Sequence, residues 1–336
     1  MALYSGLDKP KSPLYRKVWI GLFFLALTLG LVGTYAATQY VDYTWRWYRV
    51  PQYFFYHDTT KIVAEIEGEV VSVADKGPDK LVVVRELNGT GSESYSVPGG
   101  NLLIGPGDFV YPGDTLGTFS EWKVGLFLSG LWLTLKISAI SIVIGMAIGM
   151  LTGLARISDN PAFKWTAIGY IELVRGSPLL VQLMIWYYVI GTLVNQILTN
   201  ASLPKVPTFW YGALGLAIFT GAYTAEIVRA GIQSINLGQM EAARSLGMSY
   251  TQAMRKVVMP QAIKRILPAL AGQFISLIKD SSLLGVIAIR ELTKVTREVV
   301  TASLQTYEMW IVCAILYLVM TFTLSLFVQR LERRAL

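Results

Sequence analysis

The sequence predicts an all-α polytopic membrane protein with a small extracytoplasmic β domain inserted near its N-terminal end. Three observations carry this expectation. Of 336 residues, 53% are hydrophobic and only 15% charged, against about 25% charged in ordinary soluble domains. Several apolar stretches reach the roughly 20 residues that a helix needs to cross a bilayer core. Between residues 61 and 119 the pattern changes to short β-branched runs separated by Gly, Pro, Asn and Asp, the mark of strands joined by tight turns.

The first segment, residues 1–50, places Lys9, Lys11, Arg16 and Lys17 before an apolar run over 18–37. That run is longer than a signal-peptide core, and Tyr35-Ala36-Ala37 is a poor match to an A-x-A cleavage site. An uncleaved anchor with a cytoplasmic N-terminus is therefore expected. Tyr43, Trp45, Trp47, Tyr48, Tyr53, Phe54 and Phe55 follow, where an aromatic belt would meet the membrane surface.

Residues 51–121 form the β domain. Ile62, Val63, Ile66, Val70, Val71, Val73, Tyr95 and Val97 lie in its short runs, and "DKGPDK", "LNGTGS" and "GPGDFVYPGD" are its turns. The Gly-Asp rhythm of "GPGDFVYPGDTLG" resembles that of biotinyl and lipoyl barrels. No lysine occupies a hairpin tip of the modified kind, so no prosthetic group is expected. Asn88 fits the glycosylation pattern N-x-[ST] but reads more simply as a turn.

Residues 122–336 form the transmembrane domain, with spans expected at 124–154, 165–198, 209–230, 266–289 and 308–328. Alternation from a cytoplasmic N-terminus puts the β domain outside. It puts Arg156, Lys164, Arg244, Arg255, Lys256, Lys264, Arg265, Arg330, Arg333 and Arg334 inside. The outer loops keep only Lys205, Arg290, Lys294 and Arg297. This bias follows the positive-inside rule and accounts for the net charge of +7 without nucleic acid. A multi-pass protein of a bacterial cytoplasmic membrane is expected, with both termini cytoplasmic. Cys313 stands alone in an apolar run and His57 is the single histidine, so neither a disulfide framework, a metal site nor a Ser-His-Asp triad is expected.

Between the third and fourth spans of this domain lies a polar hairpin, residues 236–262. Asn236 with Gln239 and Ser249 with Gln252 read as two helix N-caps with reciprocal partners, and Gly247 supplies the positive-φ stop between them. Pro260 closes the segment. On the second helix Tyr250, Ala253, Met254, Val257 and Val258 form an apolar stripe, opposite Gln252, Arg255 and Lys256. Ala242 and Ala243 let another surface approach closely, beside the charges of Glu241 and Arg244. The residues alone leave two readings: an amphipathic hairpin resting on the inner leaflet, or a rigid lever that receives force from a partner.

Ionisable residues inside spans cost about 2.5–3.5 kcal/mol each to insert and usually face a cavity. Lys279 and Asp280 lie near the middle of 266–289, pointing about 100° apart on a helix. Glu226 and Arg229 share one helix face toward the inner end of their span. They form either structural interhelical salt bridges or a cavity offering both charges to an α-amino acid zwitterion. Glu172 and Arg175, with Gly176 and Pro178, read as helix-entry residues.

"GQMEAARSLGMSYTQAMRKVVMPQA" resembles the EAA loop of ABC importer permeases. "IELVRGSPLLVQL", "GAYTAEIVRAGIQSI" and "LIKDSSLLGVI" resemble the polar amino-acid uptake family of those permeases. The likeness runs from about Trp122 to the C-terminus. It implies the type I ABC importer transmembrane fold and a permease subunit that translocates polar amino acids. It also implies that Glu241, Ala242, Ala243 and Gly247 couple the chain to a cytoplasmic ATPase. The implied partners are a second permease subunit, two ATPase subunits and an extracytoplasmic substrate-binding protein. No G-x-x-x-x-G-K-[ST] phosphate loop occurs, so ATP and magnesium belong to the separate ATPase and this chain is not itself an enzyme. The anchor helix and β domain depart from the family pattern. Alternatives are an opine or small amine as substrate, or a membrane scaffold acting through its β domain.

Overall fold

The computed structural model describes residues 13–335 except 78, 88, 90 and 100, with side chains to residue 330. Lys9, Lys11, Asn88 and the side chains of Arg333 and Arg334 lie outside the described residues. The chain divides into two units, Met1–Trp47 and Tyr48–Leu336.

The first unit is helix α1, Pro13–Tyr40, whose side chains are exposed nearly all round. At 1.5 Å per residue its 28 residues are long enough to span a bilayer. Beyond it Trp45 Nε1 donates to Thr38 Oγ1 at 3.2 Å and stacks on Trp47 at 5.6 Å.

The second unit begins with seven strands: β1 (Phe55–Val63), β2 (Gly68–Lys76), β3 (Asp79–Glu86), β4 (Ser92–Pro98), β5 (Asn101–Leu102), β6 (Phe109–Val110) and β7 (Thr115–Val124). They form two antiparallel sheets, ordered β1-β7-β5 and β4-β3-β2-β6. Val70, Val82, Val84, Val97, Val110 and Leu116 fill the space between them. The repeated phrase Pro-Gly-Asp makes the same turn twice. Gly107 and Gly113 sit at φ +93° and +98°, the left-handed position that follows Pro in a type II turn. The carboxylates of Asp108 and Asp114 accept from the N–H groups of Gly105 and Tyr111 at 2.7 and 2.9 Å. The glycine N–H groups in turn donate to Val70 and Ala64 carbonyls at 2.8 Å. Each turn is thus anchored in or just beyond a neighbouring strand where the chain passes between the sheets.

The helices are α2 (Leu126–Arg156), α3 (Pro161–Arg175), α4 (Leu179–Met184) and α5 (Thr192–Asn200), then α6 (Thr208–Gln233), α7 (Leu237–Ser245), α8 (Tyr250–Ala253) and α9 (Met259–Asp280). Last come α10 (Leu292–Ser303) and α11 (Thr306–Ala335). Counting continuous helical paths among the described residues, six are long and apolar enough to cross a membrane: Pro13–Tyr40, Leu126–Arg156, Leu179–Asn200, Thr208–Gln233, Tyr250–Ile287 and Thr306–Arg330.

Two expectations need correction. The span expected at 165–198 is two helices, because Pro178 disfavours helical geometry at Ser177 and the path breaks at Gly176-Ser177-Pro178. The buried Gln182 amide stitches the break by donating to the carbonyls of Val174 and Ser177 at 2.7 and 3.1 Å. Pro260 does not close the hairpin, since helix runs through it from Tyr250 to Ile287. A π turn at Met254–Val258 precedes it. There carbonyls are offered five residues on, which accommodates the missing proline N–H.

The transmembrane core is built on α2 packed against α6. Gly145, Gly149 and Gly153 repeat every four residues on α2, so one helix face is bare backbone. A Cβ there would stand 2.9 Å from the Ala217 carbonyl at Gly145, on Thr224 at Gly149, and 2.8 Å from the Ala225 carbonyl at Gly153. Ser141 Oγ seals the upper part of the seam by donating to the Ala213 carbonyl at 3.0 Å.

Candidate functional site

The hairpin is a two-helix body held by caps and cross-bonds. Asn236 caps α7 by accepting from Gly238 N at 2.8 Å. Gln239 does not reciprocate; its side chain accepts from Gln261 Nε2 at 3.2 Å instead, tying α7 to α9. The Ser249–Gln252 capping box is complete, with bonds of 3.2 and 2.9 Å. Gly247 turns the chain at φ +84°, and Met248 N reaches back to the Ala243 carbonyl at 3.2 Å. Arg265 Nη1 donates to the Ser234 carbonyl at the end of α6. Ala253 and Val258 of the apolar stripe are buried and Met254 and Val257 half-buried, whereas Tyr250 is exposed beside a cleft of about 340 Å³ at the hairpin base.

Of the four expected coupling residues, Glu241, Ala242 and Gly247 are exposed. Ala243 keeps only 4% of its surface. It faces inward, so the small-residue face expected at Ala242 and Ala243 is open only at Ala242.

The ionisable residues separate into two groups. Glu226 is the hub of a charge cluster in which Arg229 Nη2 lies at 2.8 Å, Arg156 Nη1 at 3.0 Å and Arg175 Nη1 at 3.9 Å. Glu172 adds a longer contact to Arg156 at 3.8 Å. Arg229 also donates to Gln233 Oε1 at 2.6 Å. The cluster ties the C-terminal ends of α2 and α3 to α6. Arg175 further lies over the Tyr223 ring at 5.4 Å. Lys279 and Asp280 occupy the last residues of α9, where α-helix passes into a 3-10 turn over Ser281–Ile287. Lys279 is exposed and Asp280 half-buried. Neither side chain makes a hydrogen bond or ion pair with another described residue, so the structure does not join them to Glu226 and Arg229.

Residues 141–336 match the family described as "Binding-protein-dependent transport system inner membrane component". The chain belongs to that family. It is a multi-pass inner-membrane component of a binding-protein-dependent transport system, with the type I ABC importer permease fold. The permease is 38% identical over 209 residues to the probable glutamine ABC transporter permease protein GlnM of Bacillus subtilis, covering 62% of this chain and 93% of that one. It is 38% identical over 201 residues to the nopaline transport system permease protein NocM of Agrobacterium fabrum, covering 59% and 83%. A solved structure, "Crystal structure of an amino acid ABC transporter with histidines", superposes with a TM-score of 0.55 at 42% identity over 62% of this chain and 94% of that one.

Sequence reasoning missed two parts of the permease's polar interior. Arg156, expected only as inner loop charge, and Arg175, expected as a helix-entry residue, both converge on Glu226. Their shared placement at the C-terminal ends of α2 and α3 was the available signal. Glu291 is fully buried as the N-cap of α10, accepting from Thr293 N and Lys294 N at 2.7 Å and from Tyr317 Oη at 2.9 Å. Glu is an uncommon N-cap, so nothing in the local pattern marked it.

Proposed function

We propose that this permease is the membrane-spanning subunit of an ATP-driven importer of polar amino acids. The likeness to the solved amino acid transporter, which covers nearly all of that chain, carries the reading. The permease pairs with itself or with a sister subunit. Two cytoplasmic ATPase subunits bind ATP and magnesium, and an extracytoplasmic binding protein delivers substrate. The basic residues of the hairpin and the basic flank of α1 support cytoplasmic placement of both. The β domain then lies on the extracytoplasmic side.

Glu241, Ala242 and Gly247, with Arg244 beside them, form the surface on which the ATPase bears. Ala243 acts from beneath, by holding α7 on the second hairpin helix. The stiffness of the capped, cross-bonded hairpin supports a lever rather than a leaflet-bound loop.

For substrate, Asp280 and Lys279 are the available pair. Their charges suit the ammonium and carboxylate of a zwitterion, and no other side chain among the described residues neutralises them by ion pair. Glu226 and Arg229 are already committed to a cluster of guanidinium and carboxylate groups, which supports a structural role. An opine is an amino-acid derivative that keeps an ammonium and a carboxylate, and the 38% identity to the nopaline permease keeps it within this substrate class. The test is to co-purify the chain with the products of neighbouring genes. ATP hydrolysis stimulated by a liganded binding protein is the expected result, and no associated ATPase is the contrary one.

A further inference from the structure

β1 and β7 form a two-stranded ribbon whose two faces are chemically opposite. The register pairs Phe55 with Val124 and His57 with Trp122 on one face. Tyr56, Asp58 and Thr60 stand with Lys123, Glu121 and Phe119 on the other, because side chains alternate along a strand. On that second face Lys123 Nζ contacts Asp58 at 2.7 Å and Glu121 at 3.1 Å, and Thr60 Oγ1 donates to Glu121. The first face has no Asp, Glu, Lys or Arg over these two cross-strand pairs, and its apolar side chains are open: Phe55 is 54% exposed, Val124 58% and Trp122 69%. The His57 ring lies 4.1 Å from the Trp122 ring.

This ribbon is bolted to a membrane-spanning helix. Gly125 follows β7 directly and its N–H donates to the Phe54 carbonyl at 2.7 Å. A Cβ at Gly125 would collide with the Tyr53 backbone, so only glycine permits the approach. Tyr53 and Phe54 pack their rings on Phe127, in the first turn of α2. The aromatic face therefore starts within one or two residues of the point where α2 begins. Water is a poor neighbour for such a face, while the headgroup layer is the region where Trp and Tyr rings concentrate.

We propose that the face formed by Phe55, His57, Trp122 and Val124 rests in the lipid headgroup layer at the end of α2. The β domain is held against the membrane surface in one orientation, its Asp58–Lys123–Glu121 face turned to water. The partner is a lipid surface, and continuity with the α2 span selects it over a soluble protein.

The test uses the full-length chain in lipid vesicles, with Cys313→Ser as background. Spin labels at Trp122→Cys and Glu121→Cys are compared for relaxation by oxygen, which concentrates in lipid, and by a water-soluble nickel chelate. The expected result is oxygen accessibility several-fold higher at 122 than at 121, with the reverse order for nickel. Equal nickel access at both positions would place the face in water and overturn the proposal. Protection of 122 from both reagents would mean that protein covers it, and would overturn it equally. Should the cysteine variants fail to insert, the fluorescence difference between wild type and Trp122→Phe supplies a second readout. That difference should be quenched by brominated lipid and spared by aqueous iodide; the opposite pattern contradicts the proposal.

Discussion

Arg156, the last residue of α2, meets Glu226 of α6 at 3.0 Å. The contact closes the C-terminal end of α2 beyond the seam that Gly145, Gly149 and Gly153 open against α6. Small residues bring the α2 and α6 backbones together, and the charge cluster then fixes how they end. Glu226→Ala should leave three guanidinium groups around an empty position. The expected loss is about 3 kcal/mol, the low end for breaking a buried pair, because the Glu226 side chain keeps 18% exposure. Thermal unfolding in detergent measures it, and an unchanged midpoint would remove the cluster from any structural role.

The glycine seam makes a separate expectation. Gly149→Leu should drive a side chain into Thr224, costing at least the roughly 1–3 kcal/mol of ordinary overpacking. Poor insertion or a lowered unfolding midpoint would be seen, whereas Gly169→Leu, with open space at its Cβ, should change neither.

In the hairpin, Gly247→Val would force a β-branched residue to φ +84°, at a cost of about 1–2 kcal/mol. Insertion should persist while uptake falls. Ala243→Trp should behave differently from a mere docking block, since the residue is buried and the hairpin itself must open. Limited proteolysis should cut that variant within 236–262 and leave the wild type intact.

In the β domain, the Lys123 ammonium hydrogen-bonds the carboxyls of Asp58 and Glu121 and holds both below their ordinary ranges. Groups lowered on folding stabilise above the unfolded carboxylate range and lose that contribution as pH falls through the folded values. Hydrogen exchange in β1 and β7, corrected for its intrinsic pH dependence, should therefore rise on acidification. In Lys123→Leu it should start higher and respond less.

The membrane-spanning helices were legible because apolar length is a strong signal, and the strands because their turns carry Pro-Gly-Asp in full view. Helix continuity was less so. The apolar residues on both sides of Gly176-Ser177-Pro178 masked the break. Pro260 looked like a stop because a π turn cannot be read from residue type. The ion cluster was hidden for another reason: Arg156, Arg175 and Glu226 come from three helices, and only packing brings them together. Ala243 shows the same limit, since its smallness serves a contact inside the hairpin as readily as one outside.

Asp280 is the residue on which the proposed substrate reading turns. Asp280→Asn keeps the shape and removes the charge offered to an ammonium. Uptake of a labelled polar amino acid should fall while co-purification with the ATPase and basal ATP hydrolysis persist, all measured on one preparation.

The most direct measurement is made in vesicles containing the permease, its ATPase and its binding protein. ATP hydrolysis and uptake should both rise when a polar amino acid is added with the binding protein, and both should be lost with Gly247→Val. Hydrolysis that ignores every polar amino acid, or uptake that proceeds without ATP, would contradict import by a coupled permease.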